Sequence, residues 1–431
     1  MANECEFGLL FAGPPRNGLT RPKSVRGSGV KMVNMGELFA HARLQDVEMD
    51  RVPLSDSEAE RFLLKSGDLL FARQSLVLEG AGKSSIFLRD AEPVTFESHV
   101  TRVRLDPTKG NPLFYFYYFQ SQDGRNVVRS IVEQGAGASG IRGSDLAKLA
   151  VVSVPIDVQN SVAQVLGRLD DKIELNRKMN ETLEAMAHAL FKSWFVDFDP
   201  VRAKAEGRDT GLPAHIAALF PDSFEDSEIG EVPTGWRVLP LPQAIAVNPR
   251  RVLRKGQIAP YLDMANMPTS GHVPDNVIAR PFGSGMRFIN GDTLLARITP
   301  CLENGKTAYV DFLHEAQIGW GSTEYIVLRP KPPLPNEYAY CLARSSEFRE
   351  FAIQSMTGSS GRQRVPAESL SHFKMALPPC ALAEQFGNLV KPVFARTSKA
   401  ARESHIFAVL RDTLLPKLIS GEIQVGEPAG A

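Results

Sequence analysis

A phrase of eight residues occurs twice in the chain, and this repeat constrains the fold more than any other feature. Residues 66–73 read SGDLLFAR and residues 290–297 read NGDTLLAR, so the glycines Gly67 and Gly291 are 224 residues apart (291 − 67 = 224). A Gly-Asp turn that leads into an apolar run predicts a buried strand. If the whole chain is duplicated, the same offset should recur elsewhere.

The segments that follow the two phrases also correspond. Residues 111–155 and 336–379 each run through an aromatic helical patch, a Gly/Ser-rich loop, a turn and a short apolar strand that ends in proline. Leu146 matches Leu370 at the same offset (370 − 146 = 224). The chain is therefore predicted to be a tandem duplication, in which each half is a compact mixed α/β domain followed by a long helix.

Apolar residues recur at alternating spacings of four and three near the end of each half, which is the pattern of a coiled-coil seam. The predicted seam consists of Val162, Leu166, Leu169, Ile173, Asn176, Asn180, Leu183, Leu190 and Trp194 in the first half, and of Phe386, Val390, Val393, Phe407, Leu414 and Leu418 in the second. Because such a seam is not stable in water, the two helices are predicted to pair as an antiparallel coiled coil. Asn176 and Asn180 should fix the register at some cost in stability. Pro392 lies inside the second seam, so that helix should either kink there or begin near it.

Composition restricts the possible functions only weakly. Among 431 residues, 49 Lys+Arg balance 49 Asp+Glu, so no global charge points to nucleic acid or to a membrane surface. The four cysteines (Cys5, Cys301, Cys341 and Cys380) form no CxxC pair, and the histidines show no metal-binding spacing, so no metal site is expected. This cysteine usage fits a reducing compartment, and no signal peptide or membrane span is recognised, so a cytoplasmic location is predicted.

Three motifs resemble a known family. The segment LDDKIELNRKMNETLEAMAHALFKSWFVDFDPVRAK (169–204) closely resembles the central region of specificity subunits of type I restriction–modification enzymes. The segment LLPKLISGEI (414–423) resembles the C-terminal helix end of that family, and IGEVPTGW (229–236) resembles the opening of its second target-recognition domain. The first half departs from the family pattern, because it has no counterpart of PTGW.

The resemblance implies an α+β fold built by tandem duplication of a target-recognition domain and a long helix. The implied parts are a first target-recognition domain (1–155), a central long helix (156–200), a linker (201–228), a second target-recognition domain (229–379) and a C-terminal long helix (380–425). Each domain is then expected to read one half of a split site in double-stranded DNA. The helices are expected to act as a ruler and to dock two methyltransferase subunits, with restriction subunits joining through the complex. The chain itself should be non-catalytic and hold no cofactor, whereas partner subunits use S-adenosylmethionine for adenine methylation and ATP with magnesium for restriction.

Two cation-rich loops without acidic residues are candidates for contact with DNA. These are RPKSVRGSGVK (21–31) and NPRRVLRKGQ (248–257), which precede the similar phrases KMVNM (31–35) and DMANM (263–267). Cations suit phosphates, and Arg or Gln on a flexible Gly/Ser-rich loop suits a DNA groove. The predicted DNA-binding residues are Arg21, Lys23, Arg26, Lys31, Arg142, Arg250, Arg251, Arg254, Lys255, Arg362, Gln363 and Arg364. The alternative for each is a solvated surface or a simple turn.

Other functions are less well supported by the residues. LEGAGKSS resembles a phosphate-binding loop, but Val77 stands where that motif requires glycine. No Asp/Asn-Pro-Pro-aromatic motif supports methyltransferase chemistry in this chain. A two-domain protein scaffold that never binds DNA remains the alternative, and salt-dependent binding to duplex DNA distinguishes the two hypotheses.

Overall fold

The computed structural model describes residues 3–135, 138–359 and 361–424. Parts of both Gly/Ser-rich loops (136–137 and 360) and the last residue of the predicted C-terminal helix segment (425) therefore lie outside the described residues. The chain forms two compact units, the first made of Met1–Ile173 with Ile406–Ala431 and the second of Glu174–His405. The division falls inside two long helices, which we call the central helix (Ile156–Phe195) and the C-terminal helix (Cys380–Ile419).

The first unit is built on a five-stranded sheet with Leu69–Ala72 at its centre. All four residues of this strand are buried, as the apolar run LLFA requires. Its neighbours in the sheet are the antiparallel strands Val100–Val103 and Ser84–Arg89. Helix Pro112–Gln120 carries six consecutive buried aromatic residues and packs into the same core, as expected for a helix that is apolar all round.

Apart from the long helices, the elements of the first unit are short. Its strands are Asn3–Glu6, Arg16–Asn17, Val30–Val33, Arg43–Gln45, Arg51–Val52, Leu69–Ala72, Gln74–Ser75, Ser84–Arg89, Val94–Phe96, Val100–Val103, Glu133–Gln134, Ser139–Gly140 and Ala150–Ser153. Its short α-helices are Met35–Ala40, Asp56–Phe62, Pro112–Gln120, Gln122–Arg129 and Gly143–Leu146, and its 3₁₀ turns are Phe7–Leu10, Lys23–Val25 and Leu78–Gly80.

The second unit has two four-stranded sheets. One contains Thr293–Ala296 between Tyr325–Pro330 and Thr307–Tyr309, and the other contains Ile258–Leu262 between Ile278–Pro281 and Gly319–Gly321. The strands of this unit are Phe224–Ser227, Gly230–Pro233, Arg237–Pro240, Ile245–Val247, Ile258–Leu262, Ile278–Pro281, Met286–Phe288, Thr293–Ala296, Thr307–Tyr309, Gly319–Gly321, Tyr325–Pro330 and Lys374–Leu377. Its short helices are Asp199–Ala205, Ala214–Ala217, Leu241–Ala244, Asn336–Arg344, Ser346–Gln354 and the 3₁₀ segment Ala367–His372.

The duplication is confirmed at the level of element boundaries. The central and C-terminal helices begin 224 residues apart (380 − 156 = 224) and also end 224 residues apart (419 − 195 = 224). The same offset relates the buried strands Leu69–Ala72 and Thr293–Ala296 (293 − 69 = 224). The α+β fold with a repeated domain and a repeated long helix is therefore the fold of this chain.

The repeated Gly-Asp phrase has a structural explanation in both units. Gly67 (φ +89°) and Gly291 (φ +86°) adopt the left-handed conformation that favours glycine. The next residue, Asp68 or Asp292, is fully buried. Its carboxylate accepts a hydrogen bond from the backbone N–H three residues earlier, at 2.8 Å from Lys65 and 2.9 Å from Ile289. Each aspartate thus closes the turn that starts the central strand, and the prediction of a structural role is confirmed.

The long helices run antiparallel within the second unit. In the second unit Asn176 Nδ2 donates to the carbonyl oxygen of Ala400 at 3.3 Å, and Asn180 Nδ2 donates to that of Thr397 at 3.1 Å. Residue numbers therefore rise along one helix in the direction in which they fall along the other. Asn176 and Ala400 are themselves equivalent residues of the two repeats. The C-terminal helix is continuous through Pro392, so the alternative that it begins near this proline is wrong.

All of the predicted seam residues are buried or half-buried, but the ends of the seam pack against more than the facing helix. In the second unit the Trp194 ring lies 6.2 Å from that of Phe386 on the other helix and 5.2 Å from that of Phe220, outside the helix pair. In the first unit Val162 and Leu166 belong to the same buried core as Leu418 and the aromatic helix. The helix ends are therefore part of the domain cores.

Candidate nucleic-acid interface

The cation-rich loop of the second unit presents three charges to solvent. Arg250, Arg254 and Lys255 are exposed, and none of them forms an ion pair with any residue that the structure describes. The loop is held by Leu253, whose buried side chain belongs to a small apolar cluster with Phe282. Exposed cations on an anchored loop are suited to phosphate contacts.

Arg251 in the same loop has a different role. Its guanidinium lies 3.3 Å from a carboxylate oxygen of Asp292, the buried aspartate of the repeated turn. Arg329 lies at the same distance from that oxygen. Burial raises the pKa of Asp292, and the two arginines oppose this rise. The prediction that Arg251 contacts DNA does not fit this geometry, because its charge already compensates a buried carboxylate.

The cation-rich loop of the first unit is largely neutralised by acids elsewhere in the fold. Arg21 lies 2.6 Å from Glu58, and Arg26 lies 2.8 Å from Asp50. The hydrogen bond from Arg21 lowers the pKa of Glu58 to about 2. Lys23 stays exposed without an ion pair among the described residues.

Lys31 requires a correction. Its side chain is 8% exposed and its ammonium lies 3.1 Å from Asp90, whose side chain is 1% exposed. Lys31 is placed in the buried strand Val30–Val33, so the ion pair is enclosed by the fold. Buried in this way, Lys31 is not available to DNA, and we exclude it from the interface.

The two loops occupy equivalent places, although the phrases after them do not align as the sequence suggested. The strand that follows each loop pairs in parallel with an equivalent strand, which places Met32 opposite Thr95 and Tyr261 opposite Trp320. Met32 thus corresponds to Tyr261, an offset of 229 (261 − 32 = 229), whereas matching KMVNM with DMANM gives 232 (263 − 31 = 232). The two phrases therefore differ by three residues in their position on the equivalent strands, although the loops ahead of them keep the same place.

The Gly/Ser-rich loops form a hairpin against the end of the central strand in both units. Gly140 pairs with Gln74 in the first unit, and Arg364 pairs with Ile298 in the second, again at an offset of 224 (364 − 140 = 224). In the first unit this hairpin borders a cleft of about 280 Å³ that is lined by Arg73, Gln74, Glu133, Gln134, Ser139 and Arg142 among others.

The predicted residues of these hairpins differ in availability. Arg142 is exposed but lies 2.7 Å from Glu133, and Arg364 lies 2.9 Å from Glu324. Arg362 is exposed and has no ion pair with a described residue, and Gln363 is half-buried. Arg362 is thus the most accessible cation of the second hairpin.

One exposed cation near the interface was missed by sequence reasoning. Arg280 lies on the strand Ile278–Pro281, opposite Ala259 on the strand that follows the cation-rich loop. In the sequence it is a single arginine in NVIARPFG, with no neighbouring cations to mark it. Only the strand pairing brings it next to the loop, and a pattern search along the chain does not contain that information.

A separate buried cluster in the second unit fixes a loop to the helix pair. His272 is 2% exposed, and its Nε2 lies 3.0 Å from Ser398 Oγ and 3.4 Å from Asp311. Its Nδ1 lies 3.9 Å from Glu184 of the central helix, which also accepts a hydrogen bond from Tyr340. Among the described residues no His, Cys, Asp and Glu side chains group in a way that could hold a metal ion. No helix of the described part is long and apolar enough to cross a membrane.

Comparison with known proteins agrees with this architecture. Residues 50–185 match the type I restriction modification DNA specificity domain family. The chain is 24% identical to the type I restriction enzyme HindI specificity subunit of Haemophilus influenzae over 438 residues, covering 91% of this chain and 94% of that protein. It is 31% identical to the EcoAI specificity subunit of Escherichia coli over 166 residues, covering 37% of this chain and 28% of that protein.

A solved structure shows the same fold. The crystal structure of the type I restriction-modification system S subunit from M. genitalium superimposes with a TM-score of 0.59 at 16% identity and covers 97% of this chain and 96% of that one. The match to the specificity domain, the near full-length relative and the shared fold agree with the duplicated domains and paired helices described above. The chain is therefore similar to type I restriction enzyme specificity subunits over nearly its whole length, and residues 50–185 match their DNA specificity domain.

Proposed function

We propose that the chain reads a two-part DNA site, one half-site with each globular domain, and directs adenine methylation and restriction by its partner subunits to that site. The observation that carries this proposal is the repeated loop ahead of topologically equivalent strands. In the second unit that loop exposes three cations, Arg250, Arg254 and Lys255, that form no ion pair with a described residue. Loops on a rigid sheet are where a scaffold of this kind can vary its contacts without losing its core.

The two domains should not contribute equally to phosphate binding. Ion pairs with Glu58, Asp50 and Asp90 neutralise most of the positive charge of the first loop. Lys23 is left as its exposed cation without an ion pair among the described residues. Different loops on the same scaffold support two different half-sites. We therefore infer that the electrostatic part of DNA binding is concentrated in the second domain.

The chain is the non-catalytic member of its complex, and the chemistry belongs to other subunits. S-adenosylmethionine is assigned to the methyltransferase subunits, and ATP with magnesium to the restriction subunits. Methyl transfer is expected only when the chain is combined with its methyltransferase subunit and the methyl donor. Methylation of DNA by the purified chain alone would contradict this assignment.

We place the docking surface for two methyltransferase subunits on the long helices. Met186 on the central helix is 60% exposed and Ile406 on the C-terminal helix is 62% exposed. Leu175, Val409 and Leu410 are also exposed. Apolar side chains on the outside of a helix pair are typical of surfaces that another protein covers.

The docking surface can be tested by introducing charge. Met186→Glu should weaken assembly with the methyltransferase subunit in analytical ultracentrifugation, because it puts a carboxylate into an apolar contact. Lys391→Glu, at an exposed polar position of the C-terminal helix, is the control and should assemble normally. Normal assembly of the Met186→Glu protein would refute the placement.

The proposed function is tested with the assembled complex. Methylated adenines mapped in a genome with and without the gene should define one bipartite sequence with a spacer of fixed length. Binding to a duplex that carries this sequence should weaken steeply with salt. A protein scaffold that never binds DNA predicts neither the methylation pattern nor the salt dependence.

The length of the helices offers a second test of the same function. We expect four residues inserted between Asn176 and Asn180, with a matching insertion between Thr397 and Ala400, to add about 6 Å to the helix pair. If the helices set the distance, the preferred spacer should lengthen by one or two base pairs, because ten base pairs span about 34 Å. A folded variant that keeps the original spacer would show that the helices do not act as a ruler.

A further inference from the structure

Arg280 is held by aromatic rings, and no acid in the described part of the chain pairs with it. Its guanidinium carbon lies 4.9 Å from the centre of the Tyr261 ring and 5.8 Å from that of Trp320. The two rings lie 4.3 Å apart. The Trp320 indole N–H also donates to the backbone carbonyl of Arg280 at 3.4 Å. Stacking of this kind orients the plane of a guanidinium while it leaves the N–H groups at its edge free.

The surroundings of Arg280 differ from those of the structural arginines in the same unit. Arg251 and Arg364 each lie within 3.3 Å of a carboxylate, which uses their donors inside the fold. Arg287 stacks on Phe282 at 4.8 Å, but it donates to the carbonyl of Arg251. Arg280 is exposed, and it forms no ion pair with any residue in the described ranges.

Arg280 also lies beside the cation-rich loop. Pro281, the next residue, is opposite Ile258 in the antiparallel pair that follows the loop. The backbone N–H of Gly256 donates to the carbonyl of Phe282 at 2.8 Å, which ties the end of the loop to the end of the strand that carries Arg280. The unpaired loop cations therefore lie at the end of the strand pair that holds the stacked arginine.

We propose that Arg280 reads a guanine in the half-site of the second domain, with its two edge N–H groups donating to O6 and N7 in the major groove. Guanine is the base whose groove edge offers two acceptors at the spacing of a guanidinium fork. The loop cations bind the adjacent phosphates and fix the register, whereas Arg280 supplies the sequence preference. This inference rests on the proposed DNA-reading function and goes beyond it by assigning one base and one residue.

The test uses the chain assembled with its methyltransferase subunit. The wild-type complex and the variants Arg280→Lys, Arg280→Ala and Arg254→Ala each select bound duplexes from a randomised library. Arg280→Lys keeps the charge but loses the planar fork, so it should retain most of the affinity while preference for one guanine falls by roughly 5- to 100-fold. Arg280→Ala should lose the same preference. Arg254→Ala should weaken binding to all sequences alike.

The outcomes separate this inference from the proposed function. Loss of preference at one guanine in both Arg280 variants, with the other positions unchanged, supports the inference. A selected site that is identical for wild type and Arg280→Lys overturns it and makes Arg280 a phosphate contact at most, although DNA recognition by the chain still stands. A wild-type complex that selects no sequence overturns the proposed function and this inference with it.

Discussion

Removal of the three loop cations that form no ion pair with a described residue should make DNA binding less dependent on salt. The number of these cations determines the size of the change. The sequence alone suggested four contacts in this loop, but Arg251 is used by Asp292, so three remain: Arg250, Arg254 and Lys255. Each phosphate contact contributes about 0.9 to the slope of log affinity against log salt. The triple alanine variant should therefore have a slope that is shallower by about 2.7. Between roughly 50 and 200 mM salt, the wild type should lose about 40-fold more affinity than the variant.

The measurement is fluorescence anisotropy of a labelled duplex titrated with the assembled complex at several salt concentrations. Arg251→Ala is the matched control from the same loop. It removes one charge of the same kind, yet its slope should stay at the wild-type value, because that charge faces Asp292. Its midpoint of thermal unfolding should fall instead, since Asp292 then keeps only Arg329 as an ion-pair partner among the described residues. An unchanged slope in the triple variant, or a slope reduced equally by Arg251→Ala, would refute the assignment.

Two further predictions concern the helix pair and its attached loop. Asn176→Leu should make the protein about 1 kcal/mol more stable and raise the midpoint of thermal unfolding by about 2–4 °C, because it replaces a buried amide in the seam by an apolar side chain. A lower midpoint would show that the hydrogen bonds from Asn176 to Ala400 and Glu403 outweigh the apolar burial. Burial lowers the pKa of His272, but its hydrogen bonds to Asp311 and Glu184 outweigh this and raise the pKa above the usual 6.5. Because the folded pKa lies above the unfolded one, this stabilisation is complete below about pH 6.5 and is lost as the pH rises through the folded value. The difference in unfolding midpoint between wild type and His272→Gln should therefore shrink with rising pH, and a difference that is constant or grows would contradict the ion pairing.

The fold could be predicted from the sequence because its signals are local and occur twice. The long helices, the buried central strand and the Gly-Asp turn depend on residues within a few positions of each other. The second copy tests each pattern independently at an offset of 224 (291 − 67 = 224). The continuity of the C-terminal helix through Pro392 is the exception, since a proline inside a seam also permits a later start.

The candidate interface could be predicted only in part because the availability of a cation depends on residues far away in the chain. Arg21, Lys31 and Arg251 were all placed at the DNA surface by their position in cation-rich runs. Their acidic partners lie 37, 59 and 41 residues away. No acid within the runs themselves indicates this neutralisation. No pattern in the sequence indicates the contact between Arg280 and its aromatic rings either.

The offset between equivalent elements shows where the two domains have diverged. The last strand of each domain pairs with an early strand, Asn3–Glu6 in the first and Arg237–Pro240 in the second. Asn3 thus corresponds to Arg237 at an offset of 234 (237 − 3 = 234). The offset is 229 at the strand after the cation-rich loop (261 − 32 = 229). It is 224 at the buried strand (293 − 69 = 224). It is 225 at the neighbouring strand, where Val100 and Tyr325 face equivalent residues (325 − 100 = 225), and 224 again at both ends of the long helices.

The largest changes in length therefore lie ahead of the buried central strand, in the part of each domain that contains the cation-rich loop, and the offset after that strand changes by a single residue. A core tolerates few insertions, whereas surface loops accept them at little cost. Two domains that share the buried central strand and the long helix, but differ in the length and charge partners of this segment, hold different loops on a similar frame. That division between a fixed frame and a varied loop fits the proposal that the two domains read different half-sites. The proposal predicts that the difference in sequence preference arises from the segments around residues 21–31 and 250–282.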